Sequence, residues 1–165
     1  MDTSRRIYVF CLLAVALWCS LILLAPLSKL AGFPSAITSV LYGSFAHVCH
    51  QFPDRTLFLG REPLGVCARC TAIYFSFLVS MVFLLFRNLQ RGIVPPRWVL
   101  LIAAVPMAVD VALSVAGIHA STTETRLVTG ILAGGVLPFY ILPPFLEAVR
   151  QLTVHRGDAV HENQA

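Results

Sequence analysis

Charge is what this sequence has least of. Asp, Glu, Lys and Arg together supply 12% of its 165 residues, about half the share of a soluble domain, which is near 25%. Lysine occurs once, at Lys29, and the remaining basic residues are eleven scattered arginines. No run of basic residues gives the net charge of +4 a footprint for nucleic acid. In so apolar a chain the basic excess reads first as membrane topology. No A-x-A site follows the first apolar stretch, and Trp18 ahead of Cys19 spoils a lipobox. That stretch also exceeds the 7–15 residues of a signal-peptide core. It is therefore expected to stay on the protein as a span. No long internal repeat is visible, which weighs against a transporter built from inverted halves.

What is present in excess is apolar. Hydrophobic residues make up 58% of the chain, against about 45–50% in soluble domains, and the mean hydropathy is +0.80. A membrane-crossing helix needs about 20 apolar residues. Ile7–Leu27 and Leu127–Leu146 contain no charge, Trp98–Ile118 contains only Asp110, and Cys70–Phe86 is flanked by Arg69 and Arg87. Those two arginines can snorkel to the interfaces and lengthen their span. A lone strand in lipid leaves backbone groups unpaired, so each span is expected to be helical.

The expected fold class is thus all-α, an integral membrane bundle of about four transmembrane helices over residues 1–152. The spans are about 7–27, 68–88, 98–118 and 124–147, and residues 153–165 are expected to form a disordered tail. Arg5, Arg6, Arg87, Arg91, Arg97, Arg150 and Arg156 fall on one side; Lys29, Arg55, Arg61, Arg69 and Arg126 fall on the other. The positive-inside rule then puts the protein in the cell membrane with both termini cytoplasmic and the loop 28–66 outside. Within this loop Ile37, Val40, Leu41, Phe45 and Val48 recur at helical spacing. They predict an amphipathic helix on the membrane or bundle, with Ser35 as its cap. Pro53, Gly60, Pro63 and Gly65 predict irregular backbone after it.

The chemistry concentrates in one short region. His47-Val-Cys49-His50-Gln51 is followed, after fifteen residues, by Cys67-Ala-Arg-Cys70. Three cysteines and one histidine make a tetrahedral set for a soft or borderline metal, with zinc the expected ion. Cys49, His50, Cys67 and Cys70 are the expected ligands, and His47 is the alternative to His50. The Cys-x-x-Cys pair sits at the amino end of a span, where the helix dipole and Arg69 favour thiolate. A redox pair is therefore the competing reading, and inert buried cysteines are the third. Cys11 and Cys19 lie inside the first span and read as apolar packing residues.

Cys49-His50-Gln51-x-Pro53-x-Arg55, with Val66-Cys67-Ala68-Arg69-Cys70-Thr71-x-Ile73-Tyr74, resembles a prokaryotic family of small integral membrane proteins catalogued as a domain of unknown function. Asp110, Gly117, Ser121-Thr122 and Arg126-x-x-Thr129-Gly130 resemble its later signature. The likeness covers roughly residues 45–135. Ala72 stands where the family has Gly, and Ser114 where it has Gln. The resemblance implies no activity. In architecture the chain also resembles quinone-linked disulfide-forming membrane enzymes, which place a Cys-x-x-Cys at the outer end of a four-helix bundle. Those enzymes carry a second, shuttle pair of cysteines, whereas the loop here has Cys49 alone.

A carboxylate about two turns, roughly 12 Å, into a span is costly, so Asp110 marks a functional pocket or an ion pair with Arg69 or Arg126. Pro106, Ser114 and Gly117 share its helical face. Arg126 near a helix amino end opposes the dipole and needs a partner, which is Asp110, an anionic ligand or a lipid phosphate. Arg69, Tyr74, Asp110 and Arg126 are the expected pocket residues. Ser121-Thr-Thr-Glu124 matches a capping box. His119 reads as a surface histidine, and metal binding by His155 and His161 is not expected. Gly130-x-x-x-Gly134 and the Ala104, Ala108, Ala112, Ala116 ridge suit close helix packing within the bundle or a homodimer contact.

Three functions follow. The first is a metal site at the outer face. The second is a thiol–disulfide oxidoreductase acting through Cys67 and Cys70 and linked to a quinone. The third is a small transporter or scaffold using Asp110. Cys67, Cys70 and Asp110 are the catalytic candidates, and membrane lipid is the expected surrounding.

Overall fold

The computed structural model describes residues 3–86 and 94–162. Arg87 and Arg91, used above for orientation, lie outside the described residues, as do residues 163–165 of the tail and the side chains of His155, Arg156 and His161. The elements are α1 (Thr3–Leu30), α2 (Ser35–Ala46), a 3₁₀ turn (Pro53–Arg55), β1 (Thr56–Leu59), β2 (Glu62–Cys67), α3 (Ala68–Phe86), α4 (Arg97–Val115) and α5 (Thr123–Glu162). Four of these helices are long and apolar enough to cross a membrane: Ser4–Leu30, Ala68–Phe86, Arg97–Val115 and Thr123–Leu152. Their outward side chains, such as Phe10, Leu17, Ile102 and Val128, are exposed and apolar. Such a surface suits hydrocarbon and not water.

α5 packs chiefly on α3, and α4 on α5. Small residues set the α3–α5 spacing. A Cβ added at Gly130 would lie 2.7 Å from the Arg69 carbonyl and 2.8 Å from the Ala72 Cβ, and one at Gly134 would strike the Ile73 carbonyl and Ser76 Oγ. The Gly-x-x-x-Gly face is therefore taken up inside the bundle, against α3. The α4 ridge of Ala104, Ala108, Ala112 and Ala116 is exposed. At the far end Tyr8, Met81 and Leu142 pack together, and the Tyr8 hydroxyl donates to the Met81 carbonyl.

The segment between α1 and α3 departs from expectation in two ways and meets it in a third, the amphipathic helix. First, it contains a hairpin. β1 and β2 pair antiparallel with Thr56 opposite Cys67 and Leu59 opposite Glu62, around a turn in which Gly60 takes φ +64°. Pro63 and Gly65 hid the second strand, since both residues weaken a strand pattern. Gly65 is required by packing: a Cβ there would sit 2.8 Å from the Phe45 ring. Second, α2 starts after Pro34 with no side-chain cap, so Ser35 does not serve as one. Third, α2 turns only part of its apolar stripe inward. Phe45 is 1% exposed and packs with Ile22, Ala25, Leu64 and Val66, with Leu41 and Tyr42 beside it. Ile37 and Val40 face away from the bundle.

At its carboxyl end α5 runs as far as Glu162, and no proline after Pro144 interrupts the backbone ladder. Pro138, Pro143 and Pro144 lie within the helix. At the start of α5 the cap is Thr122, whose Oγ1 accepts from the Thr125 N–H at 3.2 Å. Ser121 is thereby released from the expected capping box for another role.

Candidate functional site

The site forms where α1 and α4 end and α3 and α5 begin, with α2 and the hairpin packed over it. Cys49 follows α2, its N–H bonded to the Phe45 carbonyl at 2.9 Å. Gln51 turns the chain with φ +51°, a left-handed conformation uncommon outside glycine. Its amide nitrogen donates to the Tyr42 carbonyl at 2.8 Å and the Gly65 carbonyl at 2.7 Å. One side chain thus staples the end of α2 to β2. Cys67 ends β2, and Cys70 lies in the first turn of α3. The Lys29–Glu62 ion pair at 2.9 Å ties α1 to the hairpin.

This staple brings the three cysteines together. The Cys49, Cys67 and Cys70 sulfurs lie within 4.8 Å of one another. The Cys67 N–H donates to Cys49 Sγ at 3.2 Å. Tetrahedral zinc with Zn–S near 2.3 Å sets sulfurs roughly 3.8 Å apart, so the cluster matches that ligand set after a small contraction. All five cysteines are free thiols. The Cys67 thiol is pushed down to about 5, first by the hydrogen bond to the Cys70 side chain and further by the backbone N–H groups of Cys70 and Arg69. Burial opposes that shift.

The histidines do not join the sulfurs among the described residues. His47 is exposed, with Nδ1 3.2 Å from the Gly43 carbonyl oxygen. His50 is exposed and stacks on Phe52, with ring centroids 5.9 Å apart. It does line the cavity that the cysteines share. This cavity has a volume of about 250 Å³, and Arg55, Arg69, Ser114 and Arg126 also stand on its wall.

Of the four expected pocket residues, Arg69 and Arg126 line the cavity. Asp110 lies behind it. Its carboxylate pairs with Arg69, the first of the two arginines expected for it, and accepts the Ser121 hydroxyl at 2.7 Å. Tyr74 is turned into the core, edge-on to Trp18 at 5.9 Å. Its backbone carbonyl accepts from Cys19 Sγ at 3.5 Å, which gives that intramembrane cysteine a packing place, as expected. His119 is exposed.

Ser121, Gln51 and Arg55 are the residues that sequence reasoning did not assign to the site. Ser121 accepts from Arg69 at 3.2 Å and Arg126 at 3.1 Å, linking three segments through one oxygen. The signal was present in that Ser121, Asp110 and Arg126 occur in one motif, but capping chemistry accounted for the serine there.

Residues 49–140, which contain all three cysteines, Asp110, Ser121 and Arg126, match the family described as "Predicted membrane protein (DUF2085)". The chain belongs to the DUF2085 family. Its similarity extends to "Uncharacterized protein MJ1492" of Methanocaldococcus jannaschii, 36% identical over 150 residues, which span 88% of this chain and 96% of that protein. No solved structure matches. The matched segment begins at Cys49. The cysteine cluster, the hairpin and the polar group at the α3–α4–α5 junction therefore fall within the DUF2085 region, whereas α1 and α2 precede it.

Proposed function

We propose that this DUF2085 protein is a membrane metalloprotein in which Cys49, Cys67 and Cys70 hold zinc. The single observation carrying the reading is the convergence of the three sulfurs within 4.8 Å from two separate chain segments. His50, on the cavity wall, is the protein group for the fourth position when the metal is structural. A molecule entering the cavity takes that position when the metal is catalytic. Zinc there supplies a Lewis acid that polarises a ligand oxygen or acidifies a bound water. The protein's own part is to hold the thiolates. Hydrogen bonding from Cys70 lowers the Cys67 thiol toward the thiolate, and the cluster is clamped by Gln51 and the hairpin. The basic-residue balance supports an orientation with this end of the bundle outside the cell and both termini cytoplasmic.

The test is metal content with a thiol count on detergent-purified protein. The expected result is stoichiometric zinc, five titratable thiols after denaturation, and loss of the metal in Cys67→Ser. Zinc unchanged in that variant overturns the reading. A second reading, thiol–disulfide exchange at Cys67 and Cys70, draws on the hydrogen-bonded contact between these two thiols and the low Cys67 value. It is the outcome if metal is absent and only three thiols titrate.

A further inference from the structure

Arg126 is 8% exposed, and the protein gives it too few partners. Among the described residues, only the Nε of its side chain is bonded, to Ser121 Oγ at 3.1 Å. No carboxylate pairs with it among the described residues. Ser121 has no more to offer, because a hydroxyl has one hydrogen and two lone pairs. The hydrogen goes to Asp110 at 2.7 Å, and the lone pairs take Arg69 at 3.2 Å and Arg126. Asp110 is itself paired with Arg69, whose Nε is buried without a partner among the described residues. Arg55 stands at the same cavity over the Phe52 ring, 5.1 Å from its centroid, its Nε ion-paired with exposed Asp54 at 3.4 Å. Three guanidinium groups thus share a cavity with one buried carboxylate behind it.

Cys67 and Asp54 act on Arg126 only through space; a buried cation with no carboxylate in contact is costly, and Arg126 lies near the amino end of α5, where the helix dipole favours an anion instead. An anion in the cavity resolves both conflicts at once. Guanidinium forks match the oxygens of a phosphate in shape and charge. A volume of about 250 Å³ accommodates such a group with part of its carrier. We propose that the cavity bounded by the cysteines, the carboxyl end of α4 and the amino end of α5 binds a phosphate-bearing ligand, held by Arg126 and Arg55 with Arg69 behind them. The site stands on the arginines and does not depend on whether the cysteines hold a metal.

The ligand's phosphate comes from either a lipid headgroup or a soluble phosphate ester. The full chain, purified in a phosphate-free detergent, is titrated calorimetrically with inorganic phosphate. It is also reconstituted with a phosphate-free glycolipid, with or without phosphatidic acid, and the retained lipid is read by native mass spectrometry. The expected result is saturable binding that Arg126→Gln weakens about tenfold or more, the loss of a charge-assisted contact. Arg55→Gln should weaken it several-fold, and Arg61→Gln in the hairpin turn should leave it unchanged. Exposed Arg55 keeps the test decisive if the Arg126 variant fails to fold. Phosphatidic acid retention that depends on Arg126 and Arg55 identifies a lipid headgroup. Inorganic phosphate binding with no lipid retention identifies a soluble ligand. Binding of neither, or binding equal in wild type and both variants, overturns the proposal.

Discussion

Replacing Asp110 with Asn tests the polar junction most directly. The exchange preserves size and removes one charge. Asp110 and Arg69 side chains are 9% and 19% exposed, so the pair is held largely away from solvent. Removing one partner of a buried pair costs about 3–5 kcal/mol, mostly from the charge left behind. Arg69 keeps its Ser121 contact and some access to the cavity, so about 3 kcal/mol, the low end, is expected for Asp110→Asn. Removing both charges in Asp110→Leu with Arg69→Met should recover most of that loss, because no uncompensated ion remains. The assay is reversible unfolding in mixed detergent, with all three proteins compared under one condition. A single variant as stable as wild type, or a double variant as damaged as Asp110→Asn, refutes the assignment of this pair as a buried ionic clasp.

Gly134→Ala places a methyl group against the Ile73 carbonyl and Ser76 Oγ and should destabilise the α3–α5 packing by about 1–3 kcal/mol. Gly135→Ala is the control: its nearest neighbour is Ser80 Oγ at 3.7 Å, and it should be neutral or gain up to about 1 kcal/mol from helix propensity. Thermal unfolding of the two variants checks both, and equal losses would remove the packing argument. For Cys67, alkylation in metal-free protein should persist as pH falls from 9.0 and drop away only near 5. The stability sign follows: this depressed group contributes fully above its unfolded value near 9.0, and the contribution is lost as pH falls through about 5. Site-resolved mass spectrometry of the alkylated peptides reads the midpoint, and a midpoint near 9.0 contradicts the hydrogen-bonded thiolate.

Hydrophobic run length alone determined the membrane class and the four spans, because a bilayer dictates about 20 apolar residues per crossing whatever the surrounding fold. The Cys-x-x-Cys pair and Asp110 were legible for a related reason: reactive thiols and intramembrane charge stand out against an apolar background. The hairpin was not legible. Pro63 and Gly65 contradict a strand locally, and only packing under Tyr42 and Phe45 makes them suitable: the Pro63 carbonyl accepts the Tyr42 hydroxyl at 2.6 Å, and Gly65 lies flat beneath the Phe45 ring. Neither the choice of Arg69 over Arg126 as the partner of Asp110 nor the use of Ser121 as a shared hub follows from spacing. Both depend on how far α3, α4 and α5 approach one another, and Gly130 sets part of that distance by admitting the Arg69 carbonyl. Sequence supplied three cysteines in two separate segments; the Gln51 staple and the hairpin register, which are tertiary contacts, brought their sulfurs to one point beside a cavity of arginines.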